Sequence, residues 1–538
     1  MTGWNFADVW ETVADAIPDA QAQVQGDRVL TWAEMDRRAD GVAATLLARG
    51  ARHQDKVAQY LYNGPEYLES MFGIFKAGLV PVNTNYRYAD DELVYLWDNA
   101  DAVAVVFHGT FAERIDALRP RLPGVATWLW VDDGSGQCPE WALPYEEATA
   151  AAEGRVSAPW GRSGDDIYML YTGGTTGMPK GVMWRQEDIF LSLNASAFRR
   201  FPEDGDLDAV RAAVTAPGLV MMPACPLMHG TGAFTAFSSL STGGSVVTMV
   251  SRHFDVEELL DTIQARKVNT LAIVGDAFAK PMLAALDANP GRWDITSLML
   301  VVSSGVMWSE ATKQGLLGHH KGMILADAFS SSEALGMGAS VSTGDSAAST
   351  AKFNLGDNAR VITDDGRDVV PGSGEVGMVA VKGRVPVGYY KDPEKSARTF
   401  RVIDGARYSI PGDYATVEAD GTLRLLGRGS VCINTGGEKV YPEEVEEAVK
   451  EHASVLDAVA VGIPDERFGE AICAVVQLRP GQALDEAGII AHVKSRLAAY
   501  KAPRHVVVVE TIGRAPNGKV DYKRLRQEAV DSLGVAAG

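Results

Sequence analysis

Between Tyr171 and Gly181 the chain reads Tyr-Thr-Gly-Gly-Thr-Thr-Gly-Met-Pro-Lys-Gly, and these residue types suit one task, holding a polyphosphate. Gly173, Gly174 and Gly177 carry no side chain, so backbone N–H groups there can approach an anion closely. Thr172, Thr175 and Thr176 add hydroxyl donors, and Lys180 adds a positive charge. The apolar run from Ile167 to Leu170 reads as a strand feeding the loop. A Walker loop would need Gly-Lys-Ser/Thr opening a helix, and Pro179 breaks that pattern. The bland alternative is a flexible Gly/Thr turn; composition and order together favour phosphate.

A loop of this kind needs a rigid frame. The chain has 538 residues, too many for one compact core, so at least two domains are expected. Thr31 to Glu34 is a capping-box pattern, followed by Met35, Ala39, Val42, Ala43, Leu46 and Leu47 at helical spacing and by Gly50 as a stop. Asp101 to Phe107, Thr270 to Val274 and Leu298 to Val302 read as strands. Such alternation predicts an α/β domain with covered sheets. Near residue 360 the character turns β-rich, with hairpin signals at Asp365-Gly366 and Asp420-Gly421. From Pro442 the order is helix, strand, strand, helix, strand, a small α+β domain. The expected domains are 1–427 and 428–538, joined at the polar turn from Gly427 to Ser430.

Charge narrows the partners. With 70 acidic and 50 basic residues the net charge is −20, which disfavours nucleic acid. An anionic ligand must then be met by local positive groups. Cys138, Cys225, Cys432 and Cys473 have no metal-ligand spacing and suggest a reducing, cytoplasmic setting. The N-terminal residues lack a basic-then-apolar start, so no signal peptide is expected. From Ala212 to Ser251 there is no Asp, Glu, Lys or Arg, but Pro217, Pro223 and Pro226 break any span, so no transmembrane segment is expected. This stretch reads as the buried heart of the first domain. Gly372 to Gly377 has dinucleotide-fingerprint spacing, but a strand-like run follows where a helix is required. The pair His319-His320 lacks any metal-site context.

The loop at 171–181 resembles the phosphate loop of the acyl-adenylate-forming enzymes, which include acyl-CoA synthetases, luciferase and peptide-synthetase adenylation domains. Gly173 stands where that family usually has serine. Four further segments resemble the family in its order. In Asp327-Ala328-Phe329-Ser330-Ser331-Ser332-Glu333 the resemblance implies that Phe329 packs on adenine, Ser332 touches the α-phosphate and Glu333, with Thr176, holds Mg²⁺. Asp327 belongs to the same nucleotide-binding segment, and Ser304-Gly305 resembles the strand-end loop flanking adenine. Ser330 replaces the usual glycine. In Tyr408 to Asp413 the resemblance implies ribose binding by Asp413, whose carboxylate can accept from both hydroxyls. Pro411 replaces the usual threonine. Arg428 would contact ribose or phosphate. Ser430 sits at the hinge position, and Gly437, Glu438 and Lys439 form a loop that completes the thioester-forming site. In Pro516-Asn517-Gly518-Lys519, Lys519 would bridge the carboxylate and the α-phosphate. The implied fold is a large adenylate-forming domain with a β-rich end, plus a small mobile α+β domain. The implied cofactors are ATP, Mg²⁺ and coenzyme A.

Pro226-Leu227-Met228-His229-Gly230 resembles the segment beside the acyl pocket, with His229 as wall or gate, or as a structural histidine. Amino-acid-activating relatives usually place an acid shortly afterwards; none occurs between Pro226 and Val250. A buried unpaired ammonium would be costly, so an apolar carboxylic acid is expected. Gly181 to Arg185, Ile410 to Asp413 and Gly437 to Pro442 resemble actinobacterial ligases of long-chain fatty acids or steroid side-chain acids. Two other classes stay open: a stand-alone adenylation enzyme serving a carrier protein, and a nucleotide-binding protein without catalysis. Chain length, ring preference and a homo-oligomeric state are left open by the sequence.

Overall fold

In the computed structural model, residues 3–535 are described apart from 173–177, 307, 345, 347, 430, 431, 436, 437, 466–468, 516 and 517. The chain divides into two units: Met1–Thr350 with Val381–Ser409, and Ala351–Ala380 with Ile410–Gly538.

The first unit holds two sheets. One runs in the order Arg28–Thr31, Gln21–Gln25, Ser245–Thr248, Val220–Pro223, Thr270–Ile273, Leu300–Ser304, Ile324–Ser331, Ala334–Thr343. Its interior pairs are parallel and its two outermost pairs antiparallel. The other runs Gly388–Tyr389, Lys180–Arg185, Ile167–Thr172, Val80–Asn83, Lys56–Tyr60, Ala102–His108, Thr127–Val131, Leu143–Pro144. Helices Phe6–Ala16, Trp32–Ala48, Pro65–Lys76 and Gly230–Ser241 bury Trp10, Trp32, Phe72, Phe75 and Phe237 in one continuous core. Sheets covered in this way read as apolar runs rather than as alternation, the pattern the sequence showed.

The helix expected after Thr31 is present. Its capping box is closed by Glu34, it spans Trp32–Ala48, and Gly50 follows with φ +92°. The strand expected at Leu298 to Val302 lies at Leu300–Ser304 instead, because parallel pairing with Thr270–Ile273 begins at Leu300. The uncharged stretch at 212–251 has a buried middle, but Pro217 and Val250 are exposed at its ends.

The second unit contains Lys352–Leu355 paired with Leu423–Arg428, which pairs in turn with Asp413–Val417. The Asp420-Gly421 turn closes that second hairpin. The segment expected to be a turn at Gly427 remains strand to Arg428, because Gly427 and Arg428 pair with Tyr414 and Asp413. Gly427 has φ +117°, and a Cβ there would lie 1.8 Å from a Glu443 oxygen. A second sheet joins Glu438–Val440, Ile433–Thr435, Gly469–Leu478 and Val455–Asp465, with His505–Val508 beside Gly469–Leu478. Ala458 and Ala460 face one apolar cluster, with helices Pro442–Lys450 and Glu486–Arg496. Val459 and Val461 face another, with Tyr522–Leu533, a helix the sequence reading did not anticipate.

Candidate active site

Parallel strands present their carboxyl ends on one side, and ligands of such sheets bind in that crevice. Here those ends carry the expected residues. Val220–Pro223 leads to Met228 and His229, Leu300–Ser304 ends at Ser304-Gly305, and Ile324–Ser331 carries Asp327, Phe329 and, just beyond, Ser332 and Glu333. The register sets Ser303 opposite Asp327 and Ser304 opposite Ala328. A register shift between Phe329 and Ser331 accommodates Ser330, whose hydroxyl accepts from the Gly336 N–H at 3.3 Å. Phe329 is buried.

Three elements clamp the turn at Glu333. The Tyr389 phenol donates to Glu333 Oε1 at 2.9 Å, the Ser409 hydroxyl to the Glu333 carbonyl at 2.6 Å, and the Trp184 indole N–H to the Ser332 carbonyl at 2.8 Å. Glu333 is only 6% exposed. Mg²⁺ bound chiefly by nucleotide phosphates takes one or two protein carboxylates. One oriented, buried glutamate therefore fits that ion. Among the described residues no group of three or more His, Cys, Asp or Glu side chains forms a dedicated cage.

The expected phosphate loop lies between two paired strands. Ile167–Thr172 and Lys180–Arg185 are antiparallel and Thr172 pairs with Lys180, so the loop returns to a strand and not to a helix. Gly173, Gly174, Thr175, Thr176 and Gly177 lie outside the described residues. Thr172 and Lys180 mark the loop's two ends, and Lys180 is ion-paired to Asp392. That pair holds the Asp392 carboxyl below the usual carboxylate range, helped by the Lys395 N–H.

Asn83, which lies in none of the motifs, joins this hairpin to the segment that ends at His229. It is buried, accepts from the Tyr171 N–H at 2.6 Å, and donates to the carbonyls of Tyr171 at 2.9 Å and Met228 at 2.8 Å. Asn63 holds the same segment further upstream, accepting from the Leu227 N–H at 2.7 Å and donating to the Cys225 carbonyl at 3.0 Å. Neither carries a signal in the sequence: Asn83 ends strand Val80–Asn83 and is followed by the equally polar Thr84 and Asn85. His229 is half-buried at the start of Gly230–Ser241, where its carbonyl accepts from the Ala233 N–H at 3.0 Å and its side chain does not cap the helix. The helix buries Ala233, Phe234, Ala236, Phe237 and Leu240. A Cβ at Gly232 would lie 2.7 Å from the Pro226 carbonyl, so glycine lets the helix press on the segment before it.

Asp327 is buried beside Lys313, another residue without a sequence signal. The Lys313 ammonium lies 3.6 Å from its carboxylate and donates to the Ala348 carbonyl at 3.2 Å. Burial pushes the Asp327 carboxyl up to about 7 despite Lys313. Between the ordinary Asp range near ~4 and this value, the folded state keeps a proton that the unfolded chain has lost. This group therefore contributes stability at low pH that is lost as pH rises through about 7. In urea titrations at pH 5, 6, 7 and 8 the parent should lose more stability than Asp327→Asn. Parallel curves would mean that Asp327 is ionised throughout.

In the second unit, Asp413 is buried and sits opposite Arg428 on the neighbouring strand. For Arg428, Glu438 and Lys439 the backbone alone is described; Gly437, Ser430, Pro516 and Asn517 lie outside the described residues. Lys519 is exposed, in a tight turn where Ala515 N–H donates to the Lys519 carbonyl at 2.8 Å. Arg514 braces this turn, donating to the Gly518 carbonyl at 3.2 Å and to Asp457 at 2.6 and 2.9 Å.

Comparisons with known proteins agree with this geometry. Residues 10–390 match the model of the AMP-binding enzyme family, and residues 444–519 match the AMP-binding enzyme C-terminal domain. A medium/long-chain-fatty-acid–CoA/3-oxocholest-4-en-26-oate–CoA ligase of Mycobacterium tuberculosis (strain CDC 1551 / Oshkosh) is 42% identical over 529 residues, 97% of this chain and 96% of that one. A 3-oxocholest-4-en-26-oate–CoA ligase of Rhodococcus rhodochrous is 41% identical over 528 residues, covering 96% and 95%. Among solved structures, the anthranilate CoA ligase AuaEII in complex with anthranoyl-AMP matches with a TM-score of 0.84 at 22% identity, covering 99% of both chains, a likeness of fold. The site's strand-end layout and these matches over nearly the whole length place the chain in the AMP-binding enzyme family.

Proposed function

We propose that this chain is an ATP-dependent acyl-CoA ligase for apolar carboxylic acids, medium- or long-chain fatty acids or steroid side-chain acids. The observation that carries the reading is the 42% identity, over nearly the full length, to a ligase of that name. The uncharged, aromatic-lined helix Gly230–Ser241 supports the apolar substrate. The four cysteines are free, in keeping with a reducing, cytoplasmic setting.

In the first step a carboxylate oxygen bonds to the α-phosphorus of ATP and the bond to pyrophosphate breaks. In the second, the CoA sulfur bonds to the acyl carbon, the bond to AMP breaks, and the thiol proton is lost. Both steps are chiefly positioning and charge stabilisation. Phe329, Asp327 and Ser304-Gly305 would seat adenine, Asp413 and Arg428 the ribose, and Thr172 to Lys180 the leaving phosphates. Mg²⁺ bound at Glu333 and Thr176 would neutralise phosphate charge. Lys519 would meet charge on the α-phosphate, and His229 would line the acyl entrance. The second step requires different surroundings, so we place a pivot at the hinge position, Ser430, bringing Gly437 to Lys439 to the thiol.

The test is a panel of acids with ATP, with and without CoA, following AMP and pyrophosphate. AMP release should require CoA. Specificity should rise with apolar length, each buried CH₂ contributing about 0.8 kcal/mol, roughly fourfold. Highest kcat/KM for acetate or a free amino acid would sink the substrate assignment. Pyrophosphate exchange without CoA-dependent AMP release would favour a carrier-protein enzyme, and no exchange with any acid a nucleotide binder.

A further inference from the structure

The stretch Val387 to Asp392 belongs to none of the motifs above, yet it is fastened along the return strand of the phosphate hairpin. Gly388 and Tyr389 pair with Met183 and Val182, and the Tyr390 N–H donates to the Gly181 carbonyl at 2.8 Å. Its far end is tied down as well, Tyr390 and Lys391 both reaching Asp101 at 2.7 Å. Asp392 closes the stretch and divides its two oxygens. Oδ1 accepts from the Lys395 N–H at 3.0 Å and caps helix Pro393–Thr399, while Oδ2 takes the Lys180 ammonium. The cap needs an acceptor; it does not need a charge. The charge is spent on the lysine.

That arrangement has a consequence for a polyanion. Lys180 is 34% and Asp392 26% exposed, so the pair is reachable from solvent and not locked in the core. A lysine ammonium has three donors on a flexible stem, so a phosphate oxygen can take it over. A fixed carboxylate at the same point opposes an incoming triphosphate and a departing pyrophosphate alike. We propose that Asp392 is an internal competitor of the polyphosphate for Lys180, a positioning residue that holds the lysine when the site is empty and reclaims it as pyrophosphate leaves. This rests on the proposed placement of the β- and γ-phosphates at the loop. It would keep affinity for pyrophosphate low enough for turnover in an enzyme whose first product is itself a polyanion.

The test uses the full chain and measures binding directly by calorimetry, with an α,β-methylene ATP analogue, inorganic pyrophosphate and AMP as probes. Asp392→Asn keeps the cap acceptor and removes the charge; Asp392→Ser is a second variant that also caps. Both should bind the analogue and pyrophosphate tighter by about threefold or more, as expected for a partly exposed ion pair. AMP, which lacks those phosphates, should bind unchanged. The gain should shrink at high salt. In the background of Lys180→Ala the gain should disappear, since the competition then has no object. Unchanged or weaker binding of the analogue to both variants, with normal binding by the parent, would overturn the proposal. An equal shift for AMP would also overturn it, pointing to a merely structural role. Failure of the parent itself to bind any nucleotide would instead remove the functional reading on which it rests.

Discussion

Lys519→Ala is expected to lose acyl-adenylate formation by about 10²–10³-fold, the usual cost of removing one preorganised charge from a transition state. It should nevertheless convert supplied acyl-adenylate and CoA to thioester at near the parent rate. The asymmetry follows from the proposed roles. In the first step negative charge builds on the α-phosphate as pyrophosphate departs, and an ammonium there is worth most at that moment. In the second step charge develops on the oxygen of the departing AMP, but with the small domain turned as proposed, Lys519 would no longer be there to meet it. The turn that presents Lys519 is held by main-chain bonds and by Arg514, which grips Asp457 and the Gly518 carbonyl, none of which uses the lysine side chain. A melting curve of the variant separates a loss of chemistry from a loss of stability. Single-turnover measurements of each half-reaction decide the matter. Equal losses in both would show that the lysine serves one shared geometry, and the proposed pivot would have to be abandoned.

The second large effect is on stability and lies away from the chemistry. Lys76 ends helix Pro65–Lys76 with its side chain fully buried, 2.9 Å from Glu11, 2.6 Å from Asp36 and 2.9 Å from Asp40. Arg155 and Arg162 complete the network, at 2.8 Å from Asp36 and 2.9 Å from Glu11. Burial would raise the Glu11 carboxyl, but Arg162 and Lys76 override it and hold it low; at Asp40 burial wins and the carboxyl stays high. Lys76→Met keeps the apolar stem and removes the cation that three carboxylates share. Taking one partner from a buried ion cluster typically costs about 3–5 kcal/mol. The loss should be read from urea denaturation of the first unit at pH 7. It should narrow as pH falls towards 5, because carboxylates that have lost their cation are relieved by protonation: the folded variant then binds more protons than the unfolded chain. A loss under ~1 kcal/mol, or one independent of pH, would mean that water reaches the cluster and that these charges are solvated, as in an ordinary surface pair.

Much of the frame was legible along the chain because its causes are local. The capping box at Thr31 and Glu34 satisfies N–H groups within one turn of helix, so four residues suffice to announce it. The Asp420-Gly421 hairpin is likewise a two-residue decision, Gly421 taking φ +82°. The strands Val455–Asp465 and Gly469–Leu478 appeared as unbroken apolar runs because helices cover both their faces. The terminal helix Tyr522–Leu533 was missed because its exposed face is so heavily charged that only Leu525, Ala529 and Val530 are buried. The strand at Leu300 was misplaced because its start is set by a neighbour thirty residues earlier, Thr270, and not by its own composition.

The site divides along the same line. The residue types at 171–181 pointed to phosphate, while adenine at 327–333 and ribose at 413 were what the resemblance of those short motifs implied. What holds those motifs together is not written near them. Asn83 is 88 residues from Tyr171 and 145 from Met228, Tyr389 is 56 from Glu333, and Asp392 is 212 from Lys180. Each of these is a polar contact whose partner is set by strand pairing or by the packing of one sheet on the other. Taken alone, an asparagine, a tyrosine or an aspartate in those positions is unremarkable, and no spacing distinguishes it from its neighbours. The sequence by itself determined which chemistry this chain carries, because chemistry resides in residue types at short range; tertiary structure alone decided which carboxylate is aimed and which lysine is restrained, because those depend on directions that exist only once distant strands are paired.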